Sequence, residues 1–186
     1  MKQRKCGICR QPAAYGNAVN AWCSNEHGLD LAKRMKDRSD KRKVAADRKA
    51  QREARERVKT GPTLRKEAQA AFNAWVRTRD AGKPCVSCGR PDDGHRQRHA
   101  GHYKSVGGHP ALRFEPDNCH SQCATCNNHL SGNLVPYRAE LIRRIGLPRV
   151  EWLEGPHEPQ HLSRQDLIDL KTKYQKAANE LRRERT

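Results

Sequence analysis

Two Cys-x-x-Cys pairs constrain the fold of this 186-residue chain more than any other feature. Cys85 and Cys88 form the first pair, Cys123 and Cys126 form the second, and 34 residues lie between the two pairs. This arrangement is typical of a structural site in which four thiolates hold one zinc ion. Such a site joins parts of the chain that are distant in sequence. The pattern therefore predicts a zinc-bound core with an inserted hairpin.

A second set of potential zinc ligands lies near the amino terminus. It consists of Cys6, Cys9, Cys23 and His27. The spacing predicts a small treble-clef-like or ribbon-like zinc finger, which either contacts DNA or only anchors the segment that follows. Cys119 is outside both sets, and we expect a small buried residue there, although Cys119 with Cys123 offers an alternative zinc register. Because the chain opens without a signal-peptide pattern, metal binding in a reducing cytosol is favoured over disulfides.

The composition points to a polyanionic partner. The formal net charge is +17, and 34% of the residues are hydrophobic against 32% charged. This is too little apolar material for one large core, so we predict small modules held together by metal, with exposed charged segments between them. Lysine and arginine that neutralise phosphates release condensed counterions, which makes nucleic acid the leading partner. An anionic membrane is the alternative, but no apolar run approaches the roughly 20 residues that span a bilayer.

The insert between the two cysteine pairs has residues that suit phosphodiester hydrolysis. The reaction needs a base of near-neutral pKa that deprotonates water, and His102 is our candidate. Asn118 is placed to orient this histidine through its backbone or its ring. Asn127 directly follows Cys126 and offers an amide oxygen to a cation, and oxygen ligands suit Mg²⁺ or Mn²⁺. The order of these residues predicts a ββα-metal nuclease of the HNH type, with a structural zinc and a second, open cation site.

A long basic segment precedes this core. Residues 29–59 are mainly charged residues and alanine, without glycine or proline, and acids stand four residues before bases. This pattern predicts a solvated helix, which is either a polar connector or an arm that lies along a DNA backbone without reading sequence. The predicted DNA contacts are Lys33, Arg34, Lys41, Arg42, Lys43, Arg48 and Lys49, together with Arg138 in the core.

Helical periodicity recurs through the rest of the chain. We predict a helix after Gly61 with Phe72 and Trp75 in the core, a short strand at 112–114 and a helix from Gln122 onward. A further helix is predicted over 136–145, ended by the Gly146 segment. The last helix begins at Ser163, and its apolar stripe is expected to pack onto the body of the protein. That stripe consists of Leu167, Leu170, Tyr174, Ala177 and Leu181.

Residues 85 to about 146 closely resemble the NinG/Rap recombination endonucleases of lambda-like phages. The segments that support the resemblance are PCVSCG (84–89), AGHY (100–103), LRF (112–114), NCHSQCATCN (118–127) and SGNLVPYR (131–138). The family also looks similar outside this core, with an N-terminal cysteine finger and a long charged helix. That finger usually ends in cysteine, where this chain has His27. Many HNH enzymes have an acidic or histidine metal ligand where this chain has Gly101, so His99 or His120 would complete the cation site.

The resemblance implies structure-selective cutting of branched DNA, including Holliday junctions and D-loops, during phage recombination. A symmetrical cut of a four-way junction requires two active sites, so a homodimer is expected. Phage recombination proteins are possible partners, and the cytoplasm of the bacterial host is the expected location of this phage-encoded protein. Two alternatives stay open. One is a zinc-containing nucleic-acid-binding protein that does not cut, and the other is an HNH nuclease that acts on ordinary duplex DNA.

The predicted fold class is α+β and predominantly helical. A zinc-stabilised ββα-metal (HNH, or His-Me finger) nuclease core is preceded by a zinc finger and a long basic helix. The predicted parts are a finger in residues 1–30, a basic helix or linker in 31–61, the nuclease core with flanking helices in 62–150, and a C-terminal helical segment in 151–186.

Overall fold

The computed structural model of the protein describes residues 4–17 and 19–185. Residues 1–3 and 18 of the predicted finger, and residue 186 of the last predicted segment, lie outside the described residues. The chain divides into two compact units, of which the first ends at Lys59 and the second begins at Thr60. Both units are mainly helical, and each has one two-stranded sheet. Among the described residues, no helix is long and apolar enough to cross a membrane.

The first unit is a small hairpin followed by one long helix. Strands β1 (Tyr15–Gly16) and β2 (Ala21–Trp22) pair antiparallel, and helix α1 (Asn25–Val58) follows directly. Ser24 caps α1, because its Oγ accepts a hydrogen bond from the backbone N–H of His27 at 3.3 Å. The Trp22 indole packs against Gly28, where an added Cβ would lie 2.9 Å from the indole nitrogen. The hairpin is therefore held close to the first turns of the helix.

Helix α1 has no buried residue over its 34 residues, so it is a solvated rod about 50 Å long. It begins before the predicted basic segment because of the Ser24 cap. Its i,i+4 ion pairs include Asp30 with Arg34 at 3.4 Å and Lys49 with Glu53 at 4.0 Å. Pairs of this kind add a few tenths of a kcal/mol each to an exposed helix. The rod form therefore depends on local propensity rather than on packing.

The second unit is built on two packed helices, α2 (Gly61–Arg79) and α5 (Arg164–Arg183). Leu64 and Ala68 of α2 pack against Leu167, and Phe72 packs against the ring of Tyr174 at 4.9 Å. The predictions that Phe72 lies in the core and that the stripe of the last helix packs onto the body are confirmed. Ser163 caps α5 in a reciprocal capping box with Asp166, as expected.

The hairpin of the second unit consists of β3 (Arg98–His102) and β4 (Cys119–Cys123). The predicted helix from Gln122 is wrong, because β4 extends to Cys123 and only a single π-helical turn, Thr125–His129, follows. All five residues of β4 are buried, so its sequence lacks the alternation of a half-buried strand. The predicted strand at 112–114 is also wrong. A 3₁₀ turn, Pro110–Leu112, places the Leu112 side chain in the core.

Two short helices cover one side of the hairpin. Helix α3 (Leu134–Ile145) matches the predicted helix and begins two residues earlier. Gly146 ends it with a φ of 80°, and helix α4 (Leu147–Glu154), which we did not predict, begins at once. Tyr137 of α3 is fully buried, and its hydroxyl donates to the carbonyl oxygen of Gly101 in β3 at 2.8 Å. Leu141, Val150 and Leu153 complete this part of the core.

A buried ionic network joins the end of α2 to β4. The Asp80 side chain is 1% exposed and accepts from Arg79 at 2.7 Å, from Lys83 at 3.0 Å and from the backbone N–H of Ser121 at 3.0 Å. The imidazole Nδ1 of His120 lies 3.7 Å from the same carboxylate. Burial by itself would raise the pKa of Asp80, but the nearby His120 ring and the hydrogen-bonded Arg79 guanidinium hold it well below its usual range.

Replacing Asp80 with alanine is expected to lower the free energy of unfolding by about 3 kcal/mol, because it leaves the partly buried Arg79 guanidinium without its carboxylate and the buried Ser121 N–H without its acceptor. Since folding depresses the Asp80 pKa, its contribution is present above the unfolded value of about 3.9 and is lost as the pH falls from there through the folded pKa. Urea unfolding at pH 7 and pH 3 measures both effects. Asp169→Ala, at an exposed site on α5, is the control. Equal losses for the two variants would contradict the assignment.

Candidate metal centres and hydrolytic site

The four cysteines of the two Cys-x-x-Cys pairs converge in the second unit. Their sulfur atoms all lie within 4.8 Å of one another, and the Cys88 and Cys123 sulfurs are 3.8 Å apart. Four sulfurs at the usual Zn–S distance of about 2.3 Å in a tetrahedron are separated by about 3.8 Å. The donor set and its spacing therefore fit a zinc ion. The site would join the turn at 85–88 to the end of β4.

Hydrogen bonds to sulfur support thiolates at this site. The N–H of Cys123 donates to Cys85 Sγ at 3.3 Å, and the N–H of Cys126 donates to Cys123 Sγ at 3.5 Å. The amide of Asn133 donates to Cys126 Sγ at 3.5 Å. Burial opposes ionisation of Cys85, yet backbone N–H groups lower the pKa of its thiol to about 7. Burial raises the pKa of the Cys126 thiol to about 12 and also raises that of Cys88, so in the absence of metal the four thiols do not all ionise. The structure places Cys119 outside this cluster.

The N-terminal set also converges, in the first unit. The sulfur atoms of Cys9 and Cys23 are 3.6 Å apart, and His27 Nδ1 lies 3.1 Å from Cys23 Sγ and 3.7 Å from Cys6 Sγ. All four ligand atoms lie within 4.8 Å of one another. Backbone N–H groups, that of Cys9 above all, lower the pKa of the Cys6 thiol to about 6. Three sulfurs and one imidazole nitrogen are an ordinary zinc set, so this cluster can also hold a zinc ion.

His102 is the last residue of β3, and both of its ring nitrogens have a neighbour. Nε2 lies 3.0 Å from the carbonyl oxygen of Arg113, so it holds the proton and donates it there. Nδ1 is then the unprotonated nitrogen, and it lies 3.6 Å from the Cys119 sulfur. The ring also packs beside Phe72, with centroids 5.9 Å apart. Burial lowers the pKa of His102, which favours the neutral imidazole.

Asn118 is fully buried and holds the loop that follows His102. Its side-chain oxygen accepts from the N–H of Lys104 at 2.7 Å, and its side-chain nitrogen donates to the carbonyl oxygens of Lys104 at 3.0 Å and Leu112 at 3.1 Å. Its own carbonyl oxygen accepts from the N–H of Tyr103 at 2.8 Å. The structure thus places Asn118 on the backbone beside His102 rather than on its ring.

The candidate cation ligands are not gathered around His102. Neighbouring residues of a strand point to opposite faces of a sheet, and paired residues share a face. Gly101 pairs with His120, and His99 pairs with Gln122, so both candidate histidines lie on the face opposite to His102. A side chain cannot replace Gly101 without rearrangement, since its Cβ would lie 2.0 Å from the Gln122 amide oxygen.

The nitrogens of His120 are already occupied. Nδ1 lies 3.1 Å from the Arg79 guanidinium, and Nε2 lies 3.1 Å from the carbonyl oxygen of Asp117. Asn127 is partly exposed, and its amide nitrogen donates to the Asn128 side-chain oxygen at 2.7 Å. Among the described residues, only the two cysteine-containing clusters bring together three or more histidine, cysteine, aspartate or glutamate ligands. These residues do not form a complete protein site for Mg²⁺ or Mn²⁺ beside His102.

The residues predicted to contact DNA differ in their exposure and in whether an acidic side chain already pairs with them. Those on α1 are exposed. Arg138 instead pairs with Glu154, through contacts of 2.8 Å and 3.0 Å, and Glu154 also accepts from the Tyr103 hydroxyl. No local pattern predicts the Arg138–Glu154 pair or the contacts of Asp80 with His120 and Ser121, because these partners are far apart in the chain. Arg79 and Lys83, in contrast, lie one and three residues from Asp80.

The fold and the two clusters define a strongly basic α+β protein with two sites that can hold zinc. Residues 1–184 match the family described as Bacteriophage Lambda NinG protein, and the chain belongs to the NinG family. Protein ninG of Escherichia phage 933W is 39% identical over 195 residues, which cover 99% of this chain and 96% of that protein. Protein ninG of Escherichia phage lambda is 44% identical over 121 residues, 65% of this chain and 58% of that protein. No solved structure matches the chain.

Proposed function

We propose that this protein is a structure-selective DNA endonuclease that cuts branched recombination intermediates, such as Holliday junctions and D-loops, by metal-dependent hydrolysis. The main support is the tautomer and the neutral charge of the His102 imidazole at the end of β3. Its Nε2–H is fixed on the Arg113 carbonyl at 3.0 Å, so the basic nitrogen is Nδ1. Burial keeps the imidazole neutral. A neutral histidine with a fixed tautomer is what a general base for water requires.

In the proposed reaction, Nδ1 of His102 removes a proton from the water that attacks the scissile phosphate. As the new P–O bond forms, the P–O3′ bond breaks, and the departing 3′ oxygen takes a proton from solvent. Cys119 Sγ lies 3.6 Å from Nδ1 on its buried side, so the water approaches from the exposed side of the ring. Asn118 keeps the loop after His102 in place through its bonds to Lys104. Bound Mg²⁺ or Mn²⁺ would supply charge stabilisation at the phosphate, with ligands drawn mainly from the DNA and water, and with the partly exposed Asn127 as the candidate ligand from the protein.

Affinity for DNA is proposed to come mainly from exposed cations rather than from base contacts. Helix α1 has 12 lysines and arginines and no buried residue, and contacts from such side chains to phosphate bind DNA without reading its sequence. We further propose a homodimer, since two active sites are needed to cut a four-way junction symmetrically, and action beside phage recombination proteins in the host cytoplasm.

The test is cleavage of a four-way junction and of a linear duplex of the same sequence, with Mg²⁺, with Mn²⁺ and with neither. We expect cation-dependent nicking of the junction near its branch point and at least about 10-fold slower cutting of the duplex. Equal cutting of both substrates would favour an HNH nuclease of ordinary duplex DNA. Tight binding without cleavage under either cation would contradict the nuclease.

A non-cutting DNA-binding protein is the second candidate. The observation that favours it is the lack, among the described residues, of a His, Cys, Asp or Glu cluster around His102. In that case the zinc-held hairpin would serve only as a scaffold. Binding that persists unchanged when His102 is replaced, with no cleavage by either form, would support this candidate.

A further inference from the structure

An exposed apolar tip follows the zinc-binding turn. It consists of Leu130, Leu134 and Val135, which are 52%, 47% and 86% exposed. These residues flank the turn 131–133 and the start of α3, and none of them is needed for the core described above. Exposed aliphatic side chains on either side of one short turn of a small, highly charged protein indicate a contact surface.

The turn inside the apolar tip is held rigidly. Ser131, Gly132 and Asn133 all have positive φ angles, of 47°, 92° and 44°, a conformation that non-glycine residues rarely adopt. The Gly132 N–H donates to the Cys126 carbonyl at 2.8 Å, and the Gly132 carbonyl accepts from Ser87 at 3.1 Å. The Asn133 side chain bonds to the Cys126 sulfur, a zinc-ligand atom. The exposed side chains are therefore presented by a turn that cannot readily fold back over them.

The chain around the apolar tip has no acidic residue that would repel a polyanion. No aspartate or glutamate occurs between Asp117 and Glu140, although the chain has 21 acidic residues in all. Asn127, the candidate cation ligand, is partly exposed and only three residues before Leu130. Three partly exposed side chains offer far less than the roughly 800 Å² per partner of a standard protein interface. These observations favour DNA over a second copy of the chain.

We propose that the apolar tip inserts between the stacked bases at a DNA branch point and unstacks them. Leucine and valine are the kinds of side chain that form wedges between base steps. At a branch point the strands that exchange are not continuous with the neighbouring helix, so opening a step there costs less than in a continuous duplex, and the wedge favours junctions over duplex. This inference rests on the part of the proposed function that names branched DNA, and it does not require cleavage.

The test uses the full-length zinc-loaded protein with Ca²⁺ in place of Mg²⁺ or Mn²⁺, and a four-way junction with 2-aminopurine at its centre. The fluorescence of this base rises when it is unstacked. We expect wild-type protein to raise it several-fold at the junction centre and not in the matched duplex. Leu134→Ser/Val135→Ser should remove most of that rise and lower the preference for junction over duplex about 10-fold. Val135→Ser alone, at an 86% exposed site that should tolerate serine, should give a smaller loss in the same direction.

Val58→Ser is the matched control, because Val58 is a similarly exposed valine at 81% on α1. It should leave both the fluorescence rise and the preference unchanged. An absent rise with wild type, or the same loss in the Val58 variant, would overturn the proposal. The proposal would also be overturned if Leu134→Ser/Val135→Ser kept the fluorescence rise but lost self-association in sedimentation. The tip would then be an interface between two protein chains. Because the readout is binding, a protein that fails to cut DNA can still pass this test.

Discussion

Replacing Cys126 with serine is expected to release one zinc ion per chain and to unfold the hairpin of the second unit. Structural zinc sites contribute about 10–16 kcal/mol of apparent binding free energy, which is comparable to or larger than the whole stability of a small domain, about 5–15 kcal/mol. Cys126 also accepts the amide of Asn133 and bonds through its carbonyl to Gly132, so the turn before α3 depends on it. The cysteine is 2% exposed, and no other packing would replace the cluster.

Zinc content by mass spectrometry, together with thermal unfolding, measures this effect. We expect two zinc ions per chain in wild type, one in Cys126→Ser, and two in Cys119→Ala, because Cys119 is buried but lies outside the cluster. A fall in melting temperature of more than about 10 °C is expected for Cys126→Ser only. If Cys119→Ala lost the zinc instead, the alternative register with Cys119 would be correct and the present cluster would be wrong.

The convergence of both cysteine-containing groups could be predicted from the sequence, because their spacing is a local signal. Two Cys-x-x-Cys pairs need only come together, and the structure brings their sulfurs within 4.8 Å. The helices with clear apolar stripes could also be predicted from the sequence. Phe72 and Leu167, which were expected in the core, are both buried. Helix α4 was missed because Gly146 and Pro148 look like a stop signal, although Pro148 also fits the first turn of a new helix.

The spacing of residues in the sequence does not show which side chains surround His102. Which face of β3 a residue occupies depends on strand boundaries, and β4 has no polar alternation to reveal them because it is buried throughout. His99 and His120 therefore appeared as ligands beside His102, while the register puts them on the other face. His120 instead joins Asp80, 40 residues earlier in the chain, and no local pattern encodes that contact.

His102→Ala is expected to slow junction cleavage by about 10²–10⁴-fold, the usual contribution of a general base. DNA affinity should change little, because the proposed phosphate contacts lie elsewhere. Single-turnover cleavage, with saturating protein and wild-type zinc content verified, measures the chemical step. His161→Ala, at an exposed loop position, is the control and should cut at the wild-type rate. A His102 variant that still cuts at a tenth of the wild-type rate or faster would assign the base to another group.

The pH dependence of cleavage separates a base from a merely structural histidine. A general base acts in its unprotonated form, so the rate rises with pH through the pKa of His102 and then levels off. Because burial lowers that pKa, the midpoint should lie below the ordinary histidine value of about 6.5, and the rate should already be level at pH 7.5. The residual activity of His102→Ala should lack this step. A wild-type midpoint near pH 8 or above would point to a different ionisation, such as metal-bound water, and would leave His102 as a packing residue beside Phe72.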